Sequence, residues 1–129
     1  MTEESLAPLP RVSLLGVPVD AVTQEEAIAR MRGYLSGTAQ YHVVTPNSEM
    51  LVEAARNPAF HAVLQKTSLN LPDSHGLLWM AFLTGQKLKE RVTGVDTVTA
   101  FCSQLTADDS VFFLGAAPGV AEKAAAFLQ

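Results

Sequence analysis

The stretch Ser68-Leu69-Asn70-Leu71-Pro72-Asp73-Ser74-His75-Gly76 decides how we expect this chain to fold. Its apolar residues predict a short strand that ends at Pro72, and an apolar helix is predicted over residues 77–83. Ligands of parallel α/β sheets bind outside the carboxyl ends of the strands, so Asp73 is expected to lie at such a place. Partial shielding from water there can raise the pKa of a carboxylate and make it a usable general base.

A second predicted strand ends in a similar way. Residues 41–45 carry their apolar side chains in succession, as strands buried on both faces of a parallel sheet tend to do, and Thr45-Pro46-Asn47-Ser48 follows. Residues 11–19 predict one strand, or two short ones broken at Gly16, and residues 111–114 predict another buried strand. Strands that alternate with helices predict a Rossmann-like α/β fold, with a parallel sheet and flanking helices.

Helix signals separate these strands. Thr23-Gln24-Glu25-Glu26 is a capping box that predicts a helix start, Asn47 or Ser48 is placed to cap a second helix, and Pro58 suits the first position of a third. A later helix is expected to bury one apolar face, formed by Val95, Val98, Cys102 and Leu105. The chain stops inside a last predicted helix, so we expect a fold that is incomplete at its C-terminus and part of a longer domain.

Composition limits the class of protein. The chain has 129 residues, 48% of them hydrophobic and 17% charged, which indicates one globular domain; residues 1–9 are expected to be a flexible tail and residues 10–129 the folded part. The net charge of −4 argues against a nucleic-acid partner. A single cysteine excludes an internal disulfide and fits a cytoplasmic protein. The longest apolar run, residues 76–83, is too short to span a bilayer, which leaves peripheral membrane contact open.

Five positions are candidates for binding or catalysis, and each has a structural alternative. Asp73 is a candidate base, although Asp between a strand and a helix is also a favoured helix cap. Thr45 and Asn47 could hydrogen-bond a ligand, or serve the turn around Pro46 and cap a helix. Arg91 could bind a diphosphate as a fork, or pair with a surface carboxylate. Gly115 opens a turn before a helix, which is a weak signal for phosphate.

No metal or cofactor is predicted. The chain has no spaced sets of cysteine and histidine, and Asp108-Asp109 is interpreted as a solvated turn. A dinucleotide-dependent enzyme is a weak hypothesis, because the one glycine-rich turn, residues 115–119, lacks the G-x-G-x-x-G fingerprint and comes last in the chain.

Several segments together resemble a known family of enzymes. They come in the order and spacing of the WecG/TagA/CpsF glycosyltransferases, and the likeness runs from about residue 12 to near the end. The joint match is specific although each piece alone is weak. The segments are Thr45-Pro46-Asn47-Ser48-Glu49-Met50, Leu71-Pro72-Asp73 with Gly76, Arg91-Val92-Thr93-Gly94-Val95-Asp96, and Val111-Phe112-Phe113-Leu114-Gly115 with Pro118-Gly119-Val120-Ala121-Glu122-Lys123-Ala124.

The resemblance implies an inverting sugar transferase. Such enzymes move N-acetylmannosamine or a related sugar from a UDP-sugar donor to a polyprenyl-diphosphate-linked sugar acceptor, for cell-surface polysaccharide or teichoic acid. It implies a cytoplasmic protein that contacts the inner face of the plasma membrane peripherally, with a homo-oligomer left open. By the same resemblance Asp73 matches the catalytic base, Thr45 and Asn47 match the substrate pocket, and Arg91 matches a diphosphate contact.

The chain departs from the family pattern in two ways. Ser74 stands where the family often has glycine, and the family's C-terminal part, which carries further nucleotide-side residues, is absent from these 129 residues. We therefore expect this chain alone to turn over a UDP-sugar poorly or not at all. A second hypothesis is a non-catalytic α/β module that binds a nucleotide or a partner chain; its mark would be Asp73 wholly buried as a helix cap with no cleft beside it.

Overall fold

The computed structural model describes residues 7–129, and this range forms four short strands and six helices. The α/β class predicted from the sequence is therefore confirmed; residues 1–6 of the predicted tail lie outside the described part. In chain order the elements are β1 (Arg11–Leu14), β2 (Val17–Asp20), α1 (Gln24–Leu35), β3 (Val43–Val44), α2 (Ser48–Arg56), α3 (Pro58–Gln65), β4 (Leu69–Asn70), α4 (His75–Leu83), α5 (Gly94–Cys102) and α6 (Val120–Leu128).

The strands of the described residues form two separate pairs instead of one parallel sheet. β1 and β2 are an antiparallel hairpin that turns at Leu15 and Gly16, both with positive φ, so the alternative of two strands broken at Gly16 is the right one. β3 and β4 are parallel, with Val43 opposite Leu69. Only the second pair has the parallel arrangement that the sequence predicted for the whole sheet.

Asp20 joins the two strand pairs. Its side chain is 1% exposed and accepts hydrogen bonds from Arg11 Nε at 2.6 Å and from the Asn70 backbone N–H at 2.7 Å. The Asn70 side chain donates in turn to the Pro18 carbonyl at 2.6 Å. A buried carboxylate needs such partners to offset its lost hydration, and these bonds hold the hairpin beside β4.

Two apolar clusters form the core. The larger lies between the hairpin and the helices α2, α3 and α4, and the smaller lies between α1 and the strands β3 and β4. The larger cluster is centred on Leu14, Val17, Val19, Leu51, Leu64, Leu77 and Ala81, and the smaller on Val22, Ala27, Leu69, Leu71 and Val92.

The predicted helix starts are confirmed. The Glu26 N–H donates to Thr23 Oγ1 at 3.1 Å and the Thr23 N–H donates to Glu26 Oε2 at 2.8 Å, which completes the capping box of α1. Lys89 Nζ lies 2.6 Å from Glu26 Oε1, and this hydrogen bond, with that from Thr23, lowers the pKa of Glu26 below its ordinary 4.5. Pro58 is the first residue of α3, as predicted.

Two further predicted features are wrong. Residues 111–114 form no strand, and Phe112 is 87% exposed, because no strand of the described residues lies beside them. Helix α5 does not bury the predicted face, since Val95 and Val98 point to solvent. It buries Thr97 instead, at 1% exposure, because α5 packs against α1 through another side.

Candidate active site

The polar segments that follow β3 and β4 leave the same edge of the parallel pair. The Leu71 N–H donates to the Val44 carbonyl at 2.8 Å, and the Asp73 N–H donates to the Pro46 carbonyl at 3.2 Å. These two hydrogen bonds continue the parallel pairing of the two chain segments beyond the ends of β3 and β4. The structure thereby brings Thr45 and Asn47 to the same edge as Asp73.

Helix α5 is fixed to this edge by its first residues. The Val92 N–H donates to the Pro72 carbonyl at 2.8 Å, directly beside Asp73 in the chain. A Cβ placed on Gly94 would lie 3.1 Å from Thr45 Cγ2, so the start of α5 rests on Thr45. A larger residue than glycine would have to displace that threonine.

Helices α2 and α4 also begin here and approach each other closely. Ser48 Oγ and Ser74 Oγ are 3.5 Å apart, and a Cβ on Gly76 would overlap Ser48 Oγ. The edge is therefore surrounded by the N-termini of α2, α4 and α5. Unpaired N–H groups and the helix dipole make such ends favourable for anions.

Asp73 is half-buried at this edge. Among residues 7–129 no side chain or backbone group is hydrogen-bonded to its carboxylate, and no cation pairs with it within 4.0 Å. The N-cap of α4 is Ser74, whose side chain makes no capping bond. The alternative in which Asp73 caps α4 is therefore wrong.

The structural alternative for Asn47 is confirmed, because its Oδ1 accepts the Met50 N–H at 2.9 Å and caps α2. Its amide nitrogen donates to no group of residues 7–129.

Arg91 is exposed and has no carboxylate within 4.0 Å in the described chain, so the alternative of a surface ion pair is not realised there. Gly115 lies in an exposed turn, with φ of +110°, and makes no hydrogen bond to this edge.

Two contacts of the edge were not found by sequence reasoning. Ser48 against Gly76 and Thr45 against Gly94 are contacts between residues far apart in the chain. A glycine in the first turn of a helix, where Gly costs stability, was the signal that could have indicated close packing. Five cavities on the surface of residues 7–129 have linings without Asp73, so none of these five provides the cleft that was expected beside a catalytic Asp73.

These features define a small α/β protein with an unpaired carboxylate among helix N-termini. The sequence profile of the glycosyl transferase WecG/TagA/CpsF family matches residues 12–129, and the chain belongs to this family. The resemblance noted from the sequence motifs is thus confirmed.

Two relatives to which the chain is similar share one name. The N-acetylglucosaminyldiphosphoundecaprenol N-acetyl-beta-D-mannosaminyltransferase of Bacillus spizizenii is 35% identical over 88 residues, which are 67% of this chain and 34% of the relative. The protein of the same name from Staphylococcus aureus strain NCTC 8325 is 26% identical over 133 aligned positions, covering 100% of this chain and 52% of the relative. The chain spans about a third to a half of the length of these relatives. Within residues 7–129, no helix combines the length and the apolar character needed to cross a membrane.

Proposed function

We propose that the chain carries the base and part of the diphosphate site of an inverting glycosyltransferase. The donor is a UDP-sugar of the N-acetylmannosamine type, and the acceptor is a sugar linked to a polyprenyl diphosphate. The observation that carries the proposal is the unpaired Asp73 carboxylate at an edge where three helices begin. The names of the two relatives support this acceptor class. The β3–β4 pair would be the start of a Rossmann-like parallel sheet.

The proposed chemistry is a single displacement. Asp73 takes the proton of the acceptor hydroxyl while that oxygen attacks the anomeric carbon of the donor. The bond between the anomeric carbon and the UDP oxygen breaks, and UDP leaves with the electron pair. Attack from the face opposite UDP inverts the anomeric configuration. Within residues 7–129 no hydrogen bond occupies the Asp73 carboxylate, so an acceptor hydroxyl can approach it.

The leaving diphosphate requires positive charge or N–H donors. The N-termini of α2, α4 and α5 supply oriented N–H groups at the edge. Arg91, exposed and unpaired within the described residues, is placed one residue before Val92, whose N–H is bonded beside Asp73. We assign Arg91 to the diphosphate, and Thr45 and the amide group of Asn47 to the sugar or nucleotide. An acceptor with a polyprenyl chain also implies peripheral contact with the inner face of the membrane.

Calorimetric titration with UDP and with NAD tests the proposal. We expect UDP to bind and NAD to give no heat. Arg91→Gln should weaken UDP binding by roughly tenfold, since a charge-assisted hydrogen bond is lost, whereas Arg56→Gln, at the far end of α2, should leave it unchanged. Asp73→Asn should keep UDP affinity while abolishing any acceptor-dependent release of UDP.

The outcome also separates the alternatives. Absence of binding by both ligands would favour the non-catalytic module. Of the two marks expected for that module, Asp73 lacks the buried cap geometry, whereas none of the five cavities above is lined by Asp73. NAD binding without UDP binding would indicate a dinucleotide site. Equal losses of UDP affinity in Arg91→Gln and Arg56→Gln would show that Arg91 does not contact the diphosphate.

A further inference from the structure

Helix α4 exposes large apolar side chains on the side that faces away from the core. Trp79 is 64% exposed and Phe82 is 72% exposed, and their rings meet edge to face with centroids 6.2 Å apart. Leu83 beside them is also exposed. Large exposed apolar patches mark contact surfaces for a ligand, a partner or a membrane.

These side chains border a surface cavity of about 330 Å³, which is almost wholly apolar and is lined by His75, Leu78, Trp79 and Phe82. A second cavity of about 560 Å³ shares Leu78 and Phe82 with the first and continues past the end of α4 to Leu88. We call the two together the α4 groove. Among residues 7–129, Lys87 is the one charged side chain that lines it, and Gln86 is the one side-chain amide. The other lining is mostly apolar, so the groove suits a hydrocarbon better than a polar ligand.

The groove begins at the N-terminal end of α4, the same helix end that borders the candidate active site. His75 lines its first part and is also the first residue of α4, two positions after Asp73. From His75 to Phe82 the helix rises about 10 Å, at 1.5 Å per residue. A molecule with a diphosphate at the N-terminus of α4 would therefore find an apolar track leading away from that diphosphate.

We propose that the α4 groove binds the isoprenoid units nearest the diphosphate of the polyprenyl acceptor. This inference rests on the proposed function, which supplies the acceptor class. The continuity of the groove with the diphosphate edge favours one amphipathic ligand over a separate partner, because head and tail then lie in adjoining places. Burial of hydrocarbon against the groove would add affinity that the diphosphate alone cannot supply.

The single tryptophan of the chain, Trp79, reports directly on this groove. Geranyl diphosphate, which carries two isoprene units, should shift Trp79 emission to the blue and bind roughly tenfold or more tightly than inorganic pyrophosphate, given the area it buries. Phe82→Ala should remove this advantage and leave pyrophosphate binding intact. Phe127→Ala is the matched control, because Phe127 is also a largely exposed phenylalanine, at 83%, and lies on α6; it should change neither affinity.

Other outcomes would overturn the inference. Equal affinities for geranyl diphosphate and pyrophosphate would show that the α4 groove does not bind the isoprenoid units, and would not contradict the proposed function. The same blue shift with phosphatidylcholine vesicles alone would indicate a membrane-contact surface, and a shift that depends on protein concentration without ligand would indicate contact with a second copy. If neither geranyl diphosphate nor pyrophosphate binds, both the proposed function and this inference are overturned.

Discussion

Gly76 is the residue on which the approach of α2 and α4 depends. It lies in the first turn of α4, where alanine would be the better helix former, yet a methyl group there would overlap Ser48 Oγ. Ser48 in turn lies 3.5 Å from Ser74 Oγ. Glycine at position 76 therefore lowers the stability of α4 slightly, but it allows the N-termini of α2 and α4 to approach each other at one edge.

Gly76→Ala should destabilise the protein by about 1 kcal/mol, because Ser48 must leave its rotamer and its contact with Ser74. In a Ser48→Ala background the same substitution should be neutral or slightly stabilising, since the obstructing hydroxyl is gone and alanine favours the helix. Urea unfolding of the two single variants and the double variant measures this coupling.

Gly37→Ala provides the control for this cycle. The nearest atom to a Cβ on Gly37 is 4.0 Å away and its φ is not positive, so the substitution should have no steric cost. Additive effects of Gly76→Ala and Ser48→Ala would show that the two residues do not restrict each other.

At the scale of helices and strands, the sequence predicted what short-range chemistry determines. The capping box at Thr23, the cap at Asn47 and the proline at position 58 are local patterns, and the structure has all three. The hairpin broken at Gly16 was one of two open alternatives, because a weak alternation alone does not show where a strand turns.

Features that depend on a distant partner could not be predicted in this way. The apolar run at 111–114 has strand composition, but a strand needs a neighbour, and Phe112 is exposed where none of the described strands is beside it. In helix α5, Val95 and Val98 are exposed and Thr97 is buried, because the position of α1 decides which face of α5 is packed. The candidate site follows the same rule: the strand-end position of Asp73 was predictable, whereas the meeting of three helix starts at the same edge was not.

Two asparagine caps allow the structural and the binding role of Asn47 to be separated. Asn47 caps α2 and Asn57 caps α3, each through Oδ1, with N–H to O distances of 2.9 and 3.1 Å. Asn47→Asp should keep α2 stable, because aspartate caps as well as asparagine. Asn57→Asp should keep its cap but lose some stability, because the Asn57 amide donates to Glu53 Oε1 at 3.2 Å and a carboxylate there would repel Glu53. Only Asn47→Asp should weaken UDP binding, since it removes the free amide donor and adds negative charge beside the diphosphate site.

Urea unfolding and UDP titration of both variants give the answer. Unchanged UDP affinity in Asn47→Asp, with stability intact, would leave Asn47 a cap and nothing more. A similar loss of UDP affinity in Asn57→Asp would point to a general effect of charge, because Asn57 lies at the opposite end of α2.

At the scale of the whole molecule, the two strand pairs are held together through a few buried polar groups. Strands β3 and β4 have two residues each, and so small a pair has little stability of its own. The Asn70 side chain donates to the carbonyls of Pro18 and Leu64, at 2.6 and 3.1 Å, and its backbone N–H is bonded to Asp20. The hairpin therefore supports the pair whose far ends form the candidate site.

Asp20 is the centre of that support, and its contribution can be measured against a matched ion pair. The Arg11–Asp20 and Lys89–Glu26 pairs have the same N–O distance of 2.6 Å, but Asp20 is 1% exposed whereas Glu26 is 43% exposed. Asp20→Asn should cost about 3 kcal/mol, because an amide nitrogen would replace an oxygen that accepts a buried N–H. Glu26→Gln should cost far less, since water replaces the lost partner and glutamine preserves the capping box.

Urea unfolding of the two variants decides whether burial or distance controls the strength of these pairs. Because Asp20 acts on β4 through Asn70, Asp20→Asn should also weaken UDP binding, by loosening the edge that carries Asp73, while Glu26→Gln should leave UDP affinity unchanged. Equal losses of stability would show that the buried pair contributes no more than the exposed one. A destabilised Asp20→Asn protein that binds UDP normally would show that the candidate site keeps its geometry without the hairpin.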